Sequence, residues 1–254
     1  MGLLEQFGEH KERIVTGLAL LGGVILIGII DNFFLIWLLF GAIYLLAFYE
    51  AARLFGIDNN RLYAYAALLW IVAAFYPYPD DLFVIAGIVF ASLVAYDKKS
   101  EWGDFLPFLY PTAGMLFMLA LYVEYGITAL FWMLTVIALA DVGAYVVGKS
   151  IGKTQFCATS PNKTLEGVMG GLAAATVGGF FVGLLLVDGD KAAVISLLTA
   201  AAAVFGDLFE SHLKRKAGVK DSGDILPGHG GVLDRVDGYL FGAVVMLILL
   251  RGLV

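Results

Sequence analysis

Residues 127–148 read ITALFWMLTVIALADVGAYVVG, and Asp141 is the only charged residue among them. A helix needs about 20 mostly apolar residues to cross the hydrocarbon core of a bilayer, and this run is long enough. Backbone groups in lipid must bond within their own segment, and the run shows no period-two alternation. The stretch is therefore predicted to be a transmembrane helix.

Similar apolar runs recur along the chain. With 127–148, the predicted spans are 14–30, 33–50, 62–77, 82–96, 105–123, 165–187, 191–212 and 232–252. Of the 254 residues, 61% are hydrophobic and 15% charged, whereas soluble domains carry about a quarter charged residues. We therefore predict an all-α integral membrane protein with about nine transmembrane helices. Residues 1–12 are expected to form an interfacial amphipathic helix rather than a cleaved signal peptide.

The basic residues indicate an orientation for these spans. With the N-terminus in the cytoplasm, all of the 16 lysines and arginines except Lys191 and Arg251 lie inside or at the inner boundary. This agrees with the positive-inside rule and places the C-terminus outside. Residues 1–140 are then mostly apolar helices, expected to act as a scaffold with dimer or lipid contacts. Residues 141–254 form the expected catalytic region, with two cytoplasmic polar loops.

Aspartates in the predicted spans mark a candidate site. Three spans carry them near their cytoplasmic ends: Asp141 in one, Asp207 in another, and Asp234 with Asp237 in the last. Ionisable residues inside a membrane are costly and usually functional, and carboxylates on two helices can hold Mg²⁺. The alternatives are that each aspartate is interfacial or pairs with a nearby lysine or arginine. Asp237 can simply pair with Arg235 or cap its helix.

Residues around the last loop are suited to phosphate. Asp207, Ser211 and Lys214 share one helix face by their i, i+4, i+7 spacing. The glycine-rich stretch 227–231 leads straight into the last helix, where backbone amides and the helix N-terminus favour an anion. The basic residues before it are Lys214, Arg215, Lys216 and Lys220. Alternatively, these cations are ordinary positive-inside charge or contact anionic lipid.

The loop over 148–167 is the second polar segment. Ser160 and Pro161 are typical of a helix start. Lys163 and Thr164 are candidates for phosphate contact, or simply begin the helix. Residues 143–150 match the Walker A pattern literally, but they lie at the end of a membrane helix without a preceding strand, so we discount a P-loop.

Small residues recur every four positions in the next span. They are Gly167, Gly171, Ala175 and Gly179. Such a stripe favours close helix packing, either within the chain or between two copies.

Residues 211–237 read SHLKRKAGVKDSGDILPGHGGVLDRVD. This stretch resembles the signature of the phosphatidate cytidylyltransferases (CDP-diglyceride synthases). The stretches DVGAYVVGKSIGK from Asp141 and SPNKTLEGVMGG from Ser160, and Gly206-Asp207-Leu208, are also similar to the family. The resemblance covers residues 141–237, and the earlier residues agree only in being hydrophobic.

The resemblance implies a reaction and its participants. CTP and phosphatidic acid would give CDP-diacylglycerol and pyrophosphate for phospholipid synthesis, with Mg²⁺ and a second cation such as K⁺. The expected setting is the inner membrane of a bacterium, with the site facing the cytoplasm; a homodimer is expected and a nucleic acid partner is not.

Roles for individual residues follow from the same resemblance. Asp207 and Asp234 would bind the metal, with Asp141, Asp221 and Asp237 as further candidates. Catalytic residues would be Asp207, Asp234, Lys214, Arg215 and Asp221. Residues expected to bind substrate are Ser160, Lys163, Thr164, Ser211, Lys220, His229, Gly230, Gly231 and Arg235.

Two other functions remain open. A CTP-dependent polyprenol or dolichol kinase would share a CTP site but deliver the γ-phosphate. A cation transporter would use Asp141, Asp207 and Asp234 as its path, although all three lie at one end of their spans rather than at mid-membrane. A CDP-alcohol phosphotransferase is disfavoured, because its spaced aspartate motif is missing.

Overall fold

The computed structural model describes residues 22–96, 100–226, 228 and 230–254. The predicted interfacial helix over 1–12, the start of the predicted span 14–30, and His229 lie outside these residues. The remaining predicted segments can be compared directly with the structure.

The regular secondary structure of the described residues is helical, with no strand longer than an isolated bridge. Helical residues over 22–30 precede α1 (Phe33–Leu54), α2 (Asn60–Ala73), α3 (Asp81–Tyr96), a 3₁₀ turn (Trp102–Phe105), a π turn (Phe108–Thr112), α4 (Ala113–Ile151), α5 (Leu165–Gly183), α6 (Gly189–Lys216) and α7 (Leu233–Leu253). Five of the described segments are long and apolar enough to cross a membrane: α1, Trp102–Ile151, α5, α6 and α7. The predicted all-α class is confirmed, with five candidate membrane-spanning helices among the described residues.

Helix α4 has 39 residues and is interrupted at Gly126, where φ is 71° and ψ is −170°. A straight helix of this length would extend about 60 Å, twice the thickness of a bilayer core. Glycine tolerates the positive φ that the break requires. The break falls between the predicted spans 105–123 and 127–148. The count of nine spans stays a prediction.

The small-residue stripe of α5 packs against α4. A Cβ atom on Gly171 would lie 2.5 Å from the carbonyl oxygen of Ala140, and one on Gly167 would lie 2.8 Å from that of Ala144. Side chains at these positions would push the helices apart. Of the two uses left open for the stripe, the structure shows packing within the chain.

The start of α5 differs from the prediction. Thr164, not Ser160, is the N-cap, and its Oγ1 accepts from the Gly167 amide at 3.1 Å. Backbone bonds from Phe156 N to the Lys163 oxygen and from Leu165 N to the Thr154 oxygen, both 2.8 Å, fold the preceding segment into a hairpin-like loop. Ser160 lies in the bend of that loop, so the predicted helix start there was wrong. Residues 143–150 are helical within α4, which confirms that they form no P-loop.

An ion cluster ties the C-terminal end of α7 to the N-terminal half of the chain. The Nη1 and Nη2 atoms of Arg251 donate to the two carboxylate oxygens of Asp80 at 2.6 and 2.9 Å. Its Nε donates to Glu124, in α4, at 2.9 Å. This bidentate geometry is the strong form of an arginine–carboxylate contact.

Candidate active site

Two cavities lie side by side and share Asp141 and Asp207 in their walls. The first, of about 430 Å³, lies between α4, the start of α5 and the loop carrying Lys163. The second, of about 590 Å³, is bounded by α4, α6 and the start of α7 at Asp234. The aspartates predicted to converge therefore do line one continuous region.

Asp207 connects the loop before α5 to α6. Lys163 donates to its Oδ2, and the Ser211 hydroxyl donates to its Oδ1 at 3.3 Å. The side chains of Lys163 and Asp207 are 28% and 35% exposed, so water reaches this pair. Asp207 and Ser211 share a face of α6, as their spacing predicts.

Lys214 lies between two carboxylates and is more buried than the pair of Lys163 and Asp207. Its Nζ is 2.6 Å from Oε2 of Glu210 and 2.6 Å from Oδ1 of Asp234. The side chains of Lys214, Glu210 and Asp234 are 12%, 0% and 8% exposed. Charges this buried persist only when they are paired. One lysine serves two carboxylates here, and Oε1 of Glu210 has no hydrogen-bond partner among the described residues.

The loop between α6 and α7 wraps the other oxygen of Asp234. Its Oδ2 accepts from the Ser222 amide at 2.9 Å, the Ser222 hydroxyl at 2.9 Å and the Gly231 amide at 2.8 Å. The Gly231 amide, predicted to contact phosphate, thus donates to Asp234 in the structure. Gly230 has a φ of 77°, which permits the turn. The loop holds Asp234 in one orientation in the first turn of α7.

The wall of the second cavity contains more acidic than basic side chains. Its wall contains Lys214 and Arg235 as the cations, and the carboxylates Asp141, Asp207, Glu210, Asp221, Asp234 and Asp237. Asp237 also accepts from the Gly238 amide at 2.8 Å. Lys163, which pairs with Asp207 from the first cavity, brings the cations to three against six carboxylates, and this excess of carboxylates suits a bound cation.

The two principal predicted metal ligands, Asp207 and Asp234, are each paired with a lysine. Among the described residues, no group of three or more His, Cys, Asp or Glu side chains is arranged to hold a metal ion. The alternative of aspartate–lysine pairing is thus seen at both Asp207 and Asp234. The excess of carboxylates and the unpartnered oxygen of Glu210 nevertheless fit a hard divalent cation, which prefers oxygen ligands.

Some of the other predicted site residues form no hydrogen bond or ion pair with Asp207 or Asp234 within the described part of the chain. Thr164 lines the first cavity while it caps α5. Arg215 donates to the Val219 carbonyl oxygen at 3.2 Å, and Lys220 is exposed to solvent. Ser160 contributes its carbonyl to the amide of Lys163 at 3.1 Å. The proposed phosphate roles of Ser160, Arg215 and Lys220 stay predictions.

Two buried carboxylates were missed in the sequence. Glu210 is one helical turn before Lys214, a spacing that favours an ion pair and could have identified it. Glu50 ends a long apolar run in α1 and is 1% exposed. An acidic residue inside a predicted span was the available signal. The prediction that three spans carry such carboxylates is corrected to include α1.

Comparisons with known proteins identify the family of the chain. The model of the Cytidylyltransferase family matches residues 11–253. A Helicobacter pylori protein named phosphatidate cytidylyltransferase is 47% identical over 249 residues, which cover 97% of this chain and 94% of that protein. A Thermotoga maritima protein of the same name is 35% identical over 233 residues, covering 84% and 86% of the two chains. A Bacillus subtilis protein, also so named, is 48% identical over 122 residues, or 46% and 45% of the chains.

Proposed function

Because the chain belongs to the cytidylyltransferase family, we propose that it transfers CMP from CTP to phosphatidic acid, giving CDP-diacylglycerol and pyrophosphate. The observation that carries this proposal is the second cavity, where Asp207, Lys214 and Asp234 meet at the ends of two apolar helices. Such a cavity can admit a polar nucleotide while its helices lie in lipid. The lipid substrate would reach it from the surrounding bilayer.

The reaction is a displacement at phosphorus. A phosphate oxygen of the lipid forms a bond to the α-phosphorus of CTP. The bond from that phosphorus to the oxygen bridging to the β-phosphate breaks, and pyrophosphate leaves with the electron pair. Such transfers depend chiefly on positioning and on neutralising the phosphate charges.

Residues around the two cavities supply these functions. Asp207 and Asp234 would hold Mg²⁺, with Asp141, Asp221 and Asp237 near enough in the cavity wall to assist. The ion would neutralise charge on the phosphates when bound. Lys163 and Lys214 neutralise the two aspartates in the structure. The same ammonium groups can turn to phosphate oxygens when a nucleotide enters, so they would bind and orient the triphosphate.

The membrane arrangement is part of the proposal. The N-terminus and the site would face the cytoplasm of a bacterium, where CTP is available, and the chain would cross the inner membrane about nine times. The basic residues of the polar loops support this orientation. A homodimer remains part of the expected assembly, and a second cation such as K⁺ part of the expected ion content.

Purified protein given CTP, Mg²⁺ and phosphatidic acid tests the proposal. Pyrophosphate release that requires all three would support it. Release of CDP instead, with the γ-phosphate on a polyprenol or dolichol, would establish a CTP-dependent kinase. Absence of nucleotide turnover together with metal flux into liposomes would establish a transporter.

A further inference from the structure

Glu50 is a carboxylate buried in residues 1–140, the part of the chain that was expected to act as a scaffold with dimer or lipid contacts. It lies near the end of α1 and is 1% exposed. Among the described residues, no cation forms an ion pair with it. An unpaired buried carboxylate costs several kcal/mol unless hydrogen bonds replace its water. Its bonding partners therefore show what it does.

The three hydrogen-bond partners that the described residues give Glu50 belong to the loop and helix start that carry Asp234. Oε1 accepts from the Val232 amide at 3.0 Å, and Oε2 accepts from the Leu233 amide at 2.7 Å. Oε2 also accepts from the Ser222 hydroxyl at 3.1 Å. Glu50 thus caps the N-terminus of α7 from a helix more than 170 residues away in sequence.

The loop glycines allow this close approach. A Cβ on Gly223 would lie 2.9 Å from Cδ of Glu50, and one on Gly231 would lie 2.7 Å from the Gly223 amide nitrogen. Side chains at these positions would displace the carboxylate. The loop is therefore shaped around Glu50 as well as around Asp234.

Ser222 links the two carboxylates directly. Its hydroxyl oxygen is 3.1 Å from Oε2 of Glu50 and 2.9 Å from Oδ2 of Asp234. A hydroxyl has one hydrogen to donate, so it serves the two acceptors alternately or shares the hydrogen between them. Any change in the charge around Asp234 is thereby coupled to Glu50.

We propose that Glu50 is a positioning residue for CMP transfer: it fixes Ser222 and the first turn of α7 so that Asp234 faces the cavity. This inference rests on the proposed function for its activity readout. Glu50 would act through Asp234 and would not touch substrate. A second role follows for α1, which supplies part of the site's support as well as membrane anchorage.

The test compares two glutamine variants of buried or half-buried glutamates. Glu50→Gln keeps the size of the side chain but turns one acceptor into a donor that faces backbone amides. Glu124→Gln makes the same change at the Arg251 cluster, far from the cavities, and is the matched control. Rates are measured per folded protein, with the Mg²⁺ and phosphatidic acid concentrations varied separately.

We expect Glu50→Gln to lower kcat by about 10–100-fold, the range found when support of a metal ligand is lost. The Mg²⁺ concentration for half-maximal rate should rise at least about tenfold. The KM for phosphatidic acid should stay near that of the wild type, because no lipid contact is changed. Glu124→Gln should leave all three values unchanged.

A measurement that does not depend on catalysis separates the proposed positioning role of Glu50 from the proposed CMP transfer. Trypsin cleavage at Lys216 and Lys220, measured without CTP or Mg²⁺, reports how firmly the loop between α6 and α7 is held. Faster cleavage is expected in Glu50→Gln than in Glu124→Gln. If the wild type lacks CMP transfer yet this difference is found, the proposed reaction fails while the support of the loop by Glu50 stands.

The positioning role is overturned if Glu50→Gln matches Glu124→Gln in Mg²⁺ dependence, tryptic rate and kcat. Should Glu50→Gln not fold, Glu50→Asp decides the question, because it keeps the charge and withdraws the carboxylate from the Val232 and Leu233 amides. A raised Mg²⁺ requirement in Glu50→Asp supports the proposal. Wild-type Mg²⁺ dependence in that variant overturns it.

Discussion

The two ends of α7 carry charged clusters of similar chemistry in different surroundings. At the Asp234 end, Lys214 lies between two carboxylates beside a cavity of about 590 Å³. At the other end, about 25 Å along the helix, Arg251 lies between Asp80 and Glu124 and lines none of the cavities described above. Both clusters place one cation between two acids, so composition alone does not distinguish them.

The distinction lies in how completely the carboxylate oxygens are hydrogen-bonded. Arg251 satisfies both oxygens of Asp80 and also bonds Glu124 through Nε. Around Asp234 the cavity wall holds six carboxylates and two cations, and one oxygen of Glu210 lacks a partner among the described residues. A cluster whose carboxylate oxygens are all bonded holds helices together, whereas one with an unbonded carboxylate oxygen beside a cavity is suited to binding. Substitutions at the Asp234 end should therefore change the rate of CMP transfer, whereas substitutions at the Arg251 end should change only the melting temperature.

The largest effect is expected from Asp207→Asn, which removes a charge and keeps the shape. CMP transfer should fall on the order of 100-fold or more, because a carboxylate that would hold Mg²⁺ is lost. The melting temperature in detergent should change little, since the pair with Lys163 is half exposed. Pyrophosphate release per folded protein measures the rate of CMP transfer. Asp188→Asn, at the exposed opposite end of α6, is the control, and more than half of wild-type activity in Asp207→Asn would contradict the assignment.

The next effect is on stability at the cavity end. Lys214→Met leaves Glu210 and Asp234 without their shared cation, and breaking such a buried pair costs about 3–5 kcal/mol. The melting temperature should drop clearly. Lys163→Met is the matched change at the more exposed pair and should cost no more than about 1 kcal/mol. Equal melting temperatures for the two variants would show that burial does not separate these pairs as described.

A smaller effect is expected at the far end. Arg251→Gln leaves the carboxylate of Asp80, whose side chain is 5% exposed, without its cation, at a cost of about 1–3 kcal/mol. The melting temperature should fall, while kcat and KM per folded protein stay near wild type. A tenfold loss of kcat at an unchanged melting temperature would mean that this cluster takes part in the reaction.

Local patterns in the sequence predicted much of the fold and the site. Apolar runs located the helices, and the aspartates at the ends of three of them proved to line adjoining cavities. Hydropathy and helical spacing are set by neighbouring residues, so they can be found without tertiary structure. The start of α5 was misplaced because the backbone pairing of residues 154–165 overrides the capping preference of Ser160.

The role of Glu50 could not be predicted in this way. Its partners lie 172–183 residues away, and no periodicity connects α1 to the loop before α7. The lysine pairing of Asp207 and Asp234 depends in part on side-chain placement across different elements. Such contacts arise only when the helices pack. The division into a scaffold over 1–140 and a catalytic region over 141–254 stays a prediction, and the proposed role of Glu50 would add support of the site to the first region.

Transfer of the α-phosphate label of CTP into lipid, measured in parallel for Asp234→Asn and Arg251→Gln, tests the central claim most directly. Both substitutions lie on α7, one at each end, and both remove a charge from a cluster of three. Per folded protein, Arg251→Gln should label CDP-diacylglycerol at the wild-type rate, and Asp234→Asn should give almost none. Equal labelling by the two variants, whether high or low, would contradict the assignment of the chemistry to the Asp234 end.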